Sequence, residues 1–277
     1  MTIMNPGQPE MNAAFLGERG SRFMTVSFRP ARECRGHIFF IPPFGEEMNR
    51  CRALVADQAR RFSGLGYACT ILDFYGTGDS DGELYEATLD IWNANIRTAI
   101  ERCVQDNNIP IILWGLRLGA LIAMDFSNRS EVPLHDLVLW QPVTSGKRYV
   151  TQILRQRVAA LVGRQQKAET TQEIRQRIED GEHVEISGYT VGRALIKDIE
   201  ALEPVSLGKL CSGTIYWLEN VSDSGQEISV ASNKIVTALQ NSGNKLEVAF
   251  FADPPMWQLH KRDNAPELLD ITTDFFR

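Results

Sequence analysis

Residues 109–119 read Ile-Pro-Ile-Ile-Leu-Trp-Gly-Leu-Arg-Leu-Gly. An apolar run passes straight into G-x-R-x-G and then into helical periodicity, which predicts a tight strand-to-helix turn with Arg117 at its apex. Glycines at 115 and 119 suit such a turn because the flanking backbone packs closely. The chemistry open to Arg117 is electrostatic. A guanidinium stays charged and has no usable lone pair, so it cannot form an acyl-enzyme. It also stands at a helix N-terminus, which disfavours a cation by about 0.3–1 kcal/mol. An anionic partner is therefore expected. Two kinds stand side by side: a salt bridge to Glu46, Glu47 or Asp79, and the carboxylate or phosphate of a bound ligand.

Glu46 and Glu47 are acid–base candidates in their own right, because paired carboxylates can have split pKa values. Their structural alternative is to partner Arg117 and to place negative charge at a helix N-terminus. Ser145 follows the strand end at 140–143, where it would line a pocket. Ser80 suits local hydrogen bonding in a glycine loop, and Cys51 falls on the apolar face of a helix.

Those residues need elements to hold them. Residues 22–29 read as a strand, paired across the turn 17–21 with Asn12–Leu16. Short apolar strands follow at 38–41, 67–72, 109–114, 137–140, 214–218 and 245–251. Between them, apolar residues recur on one helical face at 48–62, 89–103, 118–126 and 227–239, and a last helix covers 266–276. Strands alternating with amphipathic helices predict an α/β fold with a mostly parallel sheet covered on both faces. Residues 1–12 read as a tail. Residues 147–201 break the rhythm. They hold no strand core and read as a helical lid insertion over the C-terminal edge of the sheet, where ligands of such folds bind. The core is then 13–146 and 202–277.

The chain has 277 residues, near the upper range for one domain with an insertion, and 43% hydrophobic content supports a sizeable core. Its 29 basic and 35 acidic residues give a net charge of −6, which argues against nucleic-acid binding by phosphate neutralisation. The longest apolar runs are too short to span a bilayer, and residues 1–10 carry no signal-peptide pattern. Five widely spaced cysteines without a CxxC pair suit a reduced, cytoplasmic chain with no metal or other cofactor.

The strand, G-x-R-x-G and helix sequence resembles the nucleophile elbow of α/β-hydrolases. Asp73–Ser80 resembles the glycine loop after an earlier strand of that superfamily. Ile38–Gly45 falls where its members donate an oxyanion-hole N–H. The resemblance implies a ligand pocket formed by Phe44, Arg117, Leu118 and Ser145. It also implies an acid after the penultimate strand and a histidine after the last, positions held here by Asp223 and His260. Both have a plainer reading, as a solvated loop carboxylate and a surface histidine. As a pair they would activate a water without an elbow serine.

A closer resemblance rests on 42–50 (PPFGEEMNR), 75–80 (YGTGDS), 114–120 (WGLRLGA), 139–143 (LWQPV), 14–23 (AFLGERGSRF) and 253–258 (DPPMWQ). These segments look like the exosortase A system-associated hydrolase 2 family of bacterial exopolysaccharide loci. The expected function is a divergent α/β-hydrolase-fold protein with a pocket for an acyl or anionic ligand. The alternative is a non-serine hydrolase or acyl transferase acting on an ester or thioester. A peptidase of the serine aminopeptidase type shares the fold and ranks third because of Arg117. The expected ligand is a small or carrier-bound acyl group, with an acyl carrier protein as candidate partner for Arg148, Arg155, Arg157 and Arg164. Self-association stays open.

Overall fold

The computed structural model describes residues 10–104, 109–163, 169–221, 227–258 and 264–277. Ten strands appear among them: β1 (Glu10–Leu16), β2 (Phe23–Arg29), β3 (Gly36–Ile41), β4 (Tyr67–Leu72), β5 (Ile111–Leu116), β6 (Asp136–Trp140), β7 (Val184–Ile186), β8 (Tyr189–Val191), β9 (Thr214–Asn220) and β10 (Lys245–Phe251). The helices are α1 (Glu46–Gly64), α2 (Leu89–Cys103), α3 (Leu118–Arg129), α4 (Gly146–Gly163), α5 (Thr171–Glu179), α6 (Arg193–Glu200), α7 (Val230–Asn241) and α8 (Pro266–Asp274).

Eight strands form one sheet in the order β1-β2-β4-β3-β5-β6-β9-β10. β1 and β2 run antiparallel at one edge, and β2 also pairs antiparallel with β4. From β4 to β10 every pairing is parallel. The central strands β3, β5 and β6 are buried at every position, as expected of strands covered on both faces. Their side chains alternate between two cores. Ile38, Phe40, Ile112, Trp114, Val138 and Trp140 face α1 and α8. Phe39, Ile41, Leu113, Leu137 and Leu139 face α2, α3 and α7. The parallel pairing brings the C-terminal ends of these strands to one edge, with the elbow near its middle.

Three features depart from the sequence expectations. Strand β1 begins at Glu10, so residues 10–12 belong to the sheet, and the tail expected there reduces to residues that lie outside the described ones. The first four positions of β1 are exposed, which leaves no apolar alternation to mark its start. The helix expected over 227–239 begins at Val230, where Ser229 caps it by accepting from Ser232 N–H. The chain between β6 and β9 contains α4, α5 and α6, but also the hairpin β7–β8, joined by Ser187 (φ 51°) and Gly188 (φ 88°). Two left-handed residues are what a two-residue hairpin turn requires.

Candidate functional site

The elbow takes its shape from close backbone packing. Arg117 has φ 55° and ψ −117°, a conformation that costs a non-glycine residue of the order of 1–3 kcal/mol. A Cβ on Gly119 would stand 2.1 Å from the Ile41 carbonyl oxygen, and one on Gly115 would stand 2.5 Å from Ala120 Cα. Both positions therefore require glycine. Arg117 N–H donates to Trp140 O at 3.0 Å, tying the apex to β6. The next N–H groups open α3, where a helix leaves its first donors without intrahelical acceptors.

The Arg117 side chain turns toward α1. Its Nε lies 3.5 Å from Glu47 Oε1, and the two side chains are 11% and 15% exposed. Tyr149 on α4 donates its hydroxyl to Glu47 Oε2 at 3.3 Å. The guanidinium carbon lies 5.2 Å from the centre of the Trp257 ring, in the segment after β10. Among the described residues, Arg117 meets an acceptor only through Nε.

Burial raises the Glu47 carboxyl above its ordinary value, and Arg117 and Tyr149 oppose part of that shift. Burial and the neighbouring Glu47 push the Tyr149 phenol well above its usual range, so it stays a donor. Cys51 is buried close by, and its thiol is pushed up to about 12 by burial and by Glu47. It is therefore held as an inert thiol.

Of the three carboxylates considered for Arg117, the fold selects Glu47. Glu46 is half exposed and pairs instead with Arg50 at 3.6 Å, while also accepting from Asn49. Asp79 is exposed and enters no ion pair among the described residues.

Phe44 and Leu118 are both buried and wall a cavity beside the elbow with Phe74, Thr77 and Trp92. That cavity measures only about 10 Å³, the space of a single water at most. Ser145 donates to Glu203 Oε1 at 2.9 Å, a bond that fixes it at the start of α4. Ser80 donates to Asp73 O and accepts from Met24 N–H, the local loop role expected of it. Asp223, His260 and Arg164 lie outside the described residues. Arg148 and Arg155 are exposed on α4, whereas Arg157 is paired with Glu169 at 2.9 Å. No group of His, Cys, Asp and Glu among the described residues is arranged to hold a metal ion.

Three side chains at the site escape sequence reasoning. Tyr149 follows the polar stretch 145–148, and Trp257 enters the sequence reading only within the segment 253–258. Tyr189, on β8, accepts from Asn49 Nδ2 at 2.6 Å and so fastens the hairpin to the start of α1. Glu219, near the end of β9 and just before the loop expected to carry the acid, is buried with its two oxygens accepting from Trp217 Nε1 and Ser229 N–H. It joins β9 to α7.

An elbow between a central parallel strand and a buried helix, with an antiparallel edge hairpin, defines an α/β-hydrolase fold. The chain belongs to the Serine aminopeptidase, S33 family (Hydrolase_4), which matches residues 32–239. Est1E from Butyrivibrio proteoclasticus, with ferulic acid bound, superimposes with a TM-score of 0.66 at 14% identity, covering 95% of this chain and 96% of that one. Alpha/beta hydrolase domain-containing protein 10 from mouse gives a TM-score of 0.56 at 17% identity over 95% of this chain and 98% of that one. A sequence match to the Homo sapiens "Palmitoyl-protein thioesterase ABHD10, mitochondrial" is 33% identical over 87 residues, 31% of this chain. The matched stretch spans 27% of that relative's length.

Proposed function

We propose that this protein is a divergent α/β-hydrolase that binds an acyl ligand by its anionic head at the elbow, without acyl-enzyme chemistry there. The observation that carries this reading is the geometry of Arg117. Its contact with Glu47 is single and long, and two terminal amino groups point to no described acceptor. A carboxylate meeting those two groups gains paired charge-assisted hydrogen bonds, and the first-turn N–H groups of α3 add positive potential. Phe44 and Leu118 form the floor beneath that head. The cavity there, about 10 Å³, admits no acyl chain. The chain is therefore accommodated when the hairpin carrying Tyr189 leaves Asn49, and residues 147–201 serve as a lid. Ser145 borders the entrance.

In this reading the protein is cytoplasmic and serves an exosortase-associated exopolysaccharide system. Supports are the six matching segments named above and cysteines that are all free. No helix among the described residues is long and apolar enough to cross a membrane. An acyl carrier protein delivering the ligand would meet exposed Arg148 and Arg155.

A second reading is favoured by the match to palmitoyl-protein thioesterases. In it, His260 and Asp223 activate a water that attacks an acyl thioester, and Arg117 stabilises the developing negative charge on the carbonyl oxygen. Turnover on acyl esters and carrier-bound thioesters separates the two, with wild type beside Arg117→Ala and His260→Ala. Binding without turnover supports the first. Turnover lost in both variants replaces it with the second.

A further inference from the structure

At the end of the parallel strands opposite Arg117 lies a cavity of about 410 Å³. Arg29 at the end of β2, Arg32 in the following loop and Arg102 in the last turn of α2 converge on it. Among the described residues, none of the three has a carboxylate partner and no Asp or Glu lines the cavity. They gather in a chain whose net charge is −6. Other arginines are held by acids, as Arg22 is by Asp81, Arg52 by Asp73 and Arg129 by Asp125.

The cavity also reaches a buried polar base. His37 is 9% exposed, and its Nε2 lies 2.8 Å from Thr70 Oγ1, which lies 2.9 Å from Ser27 Oγ. Burial and the nearby Arg29 lower the His37 pKa to about 3, so the ring is neutral and adds no charge of its own. Three arginines lining one cavity exceed what a single carboxylate needs, since one guanidinium fork satisfies both its oxygens. They match the several oxygens and higher charge of phosphate groups. The volume falls within the range of small-molecule sites.

We propose that this cavity is a second ligand site, independent of the elbow, that binds a small phosphorylated anion. The arginine charge supplies the affinity, and Ser27 and His37 close the floor.

Calorimetric titration of the full chain with inorganic pyrophosphate tests it. The expected result is saturable one-to-one binding that weakens at least tenfold in Arg32→Glu/Arg102→Glu. These substitutions fall on exposed residues, and thermal melting verifies that the variant is folded. Arg148→Glu/Arg155→Glu binds as wild type does, which separates this site from the insertion, and saturating octanoate leaves pyrophosphate binding unchanged, which separates it from the elbow. Absence of saturable binding overturns the proposal, as does equal binding by the Arg32/Arg102 variant. Tighter binding of citrate than of pyrophosphate overturns the phosphate assignment.

Discussion

Arg117 Nε and Glu47 Oε1 lie 3.5 Å apart, joining the apex of the elbow to the first turn of α1. This pair brings two loops of the C-terminal sheet edge together. It also gives α1 a negative charge at its N-terminus, while offsetting the positive charge that α3 receives at its own.

Removing one member of a buried pair leaves the other uncompensated, at a cost of about 3–5 kcal/mol, whereas removing both is often nearly neutral. Arg117→Met is expected at the low end of that range, because Tyr149 still donates to Glu47. Adding Glu47→Gln recovers most of the loss. A double-mutant cycle by urea unfolding checks this, and simple additivity would show that the pair does not interact.

Burial raises the Glu47 pKa, so between the ordinary carboxylate value and the raised one the unfolded chain loses this proton first. The stability linked to Glu47 is then complete below its ordinary value of 4.5 and falls as pH rises through the raised one. Glu47→Gln removes that slope. The stability of the variant relative to wild type should rise from pH 4.5 upward in urea unfolding. A fall would mean that Arg117 outweighs burial.

His37 gives the opposite slope. Its folded pKa of about 3 lies below the ordinary 6.5, so its contribution is full above 6.5 and is lost as pH falls toward 3. The slope is at most about 1.4 kcal/mol per pH unit. Denaturation of wild type beside His37→Gln between pH 4 and 7 measures it, with the variant losing less stability on acidification.

Gly119→Ala places a methyl group 2.1 Å from the Ile41 carbonyl oxygen, so β3 and α3 must separate. A loss of about 4 kcal/mol or more, or failure to fold, is expected. Gly64→Ala is the control. Nothing lies within 4 Å of the added methyl, and the site is the last residue of α1. A gain of about 0.5 kcal/mol is expected there. Thermal melts distinguish the two.

The legible parts of this molecule are those where local pattern and tertiary role agree. The apolar face of α1 at Met48, Cys51, Val55, Ala59 and Phe62 is periodic in the sequence and buried in the fold. Gly115 and Gly119 announce the elbow because the turn admits nothing larger. The partner of Arg117 was legible only as a choice of three, since loop packing decides which carboxylate reaches it. Tyr149 is an apolar-face residue by spacing, and nothing in that spacing reveals that its hydroxyl meets Glu47. The hairpin β7–β8 has strands of three residues, too short for a period of two, and only the Ser187-Gly188 turn marks it. Asp223 and His260 are named only through the resemblance to α/β-hydrolases, and both lie outside the described residues.

The central claim is that Arg117 receives an anionic ligand at the elbow. Titration of octanoate into wild type and into Arg117→Met/Glu47→Gln, a variant expected to keep its fold, tests it most directly. The account predicts saturable one-to-one binding to wild type and at least a tenfold loss in the variant. Equal binding by both proteins, or no binding to wild type, would contradict it.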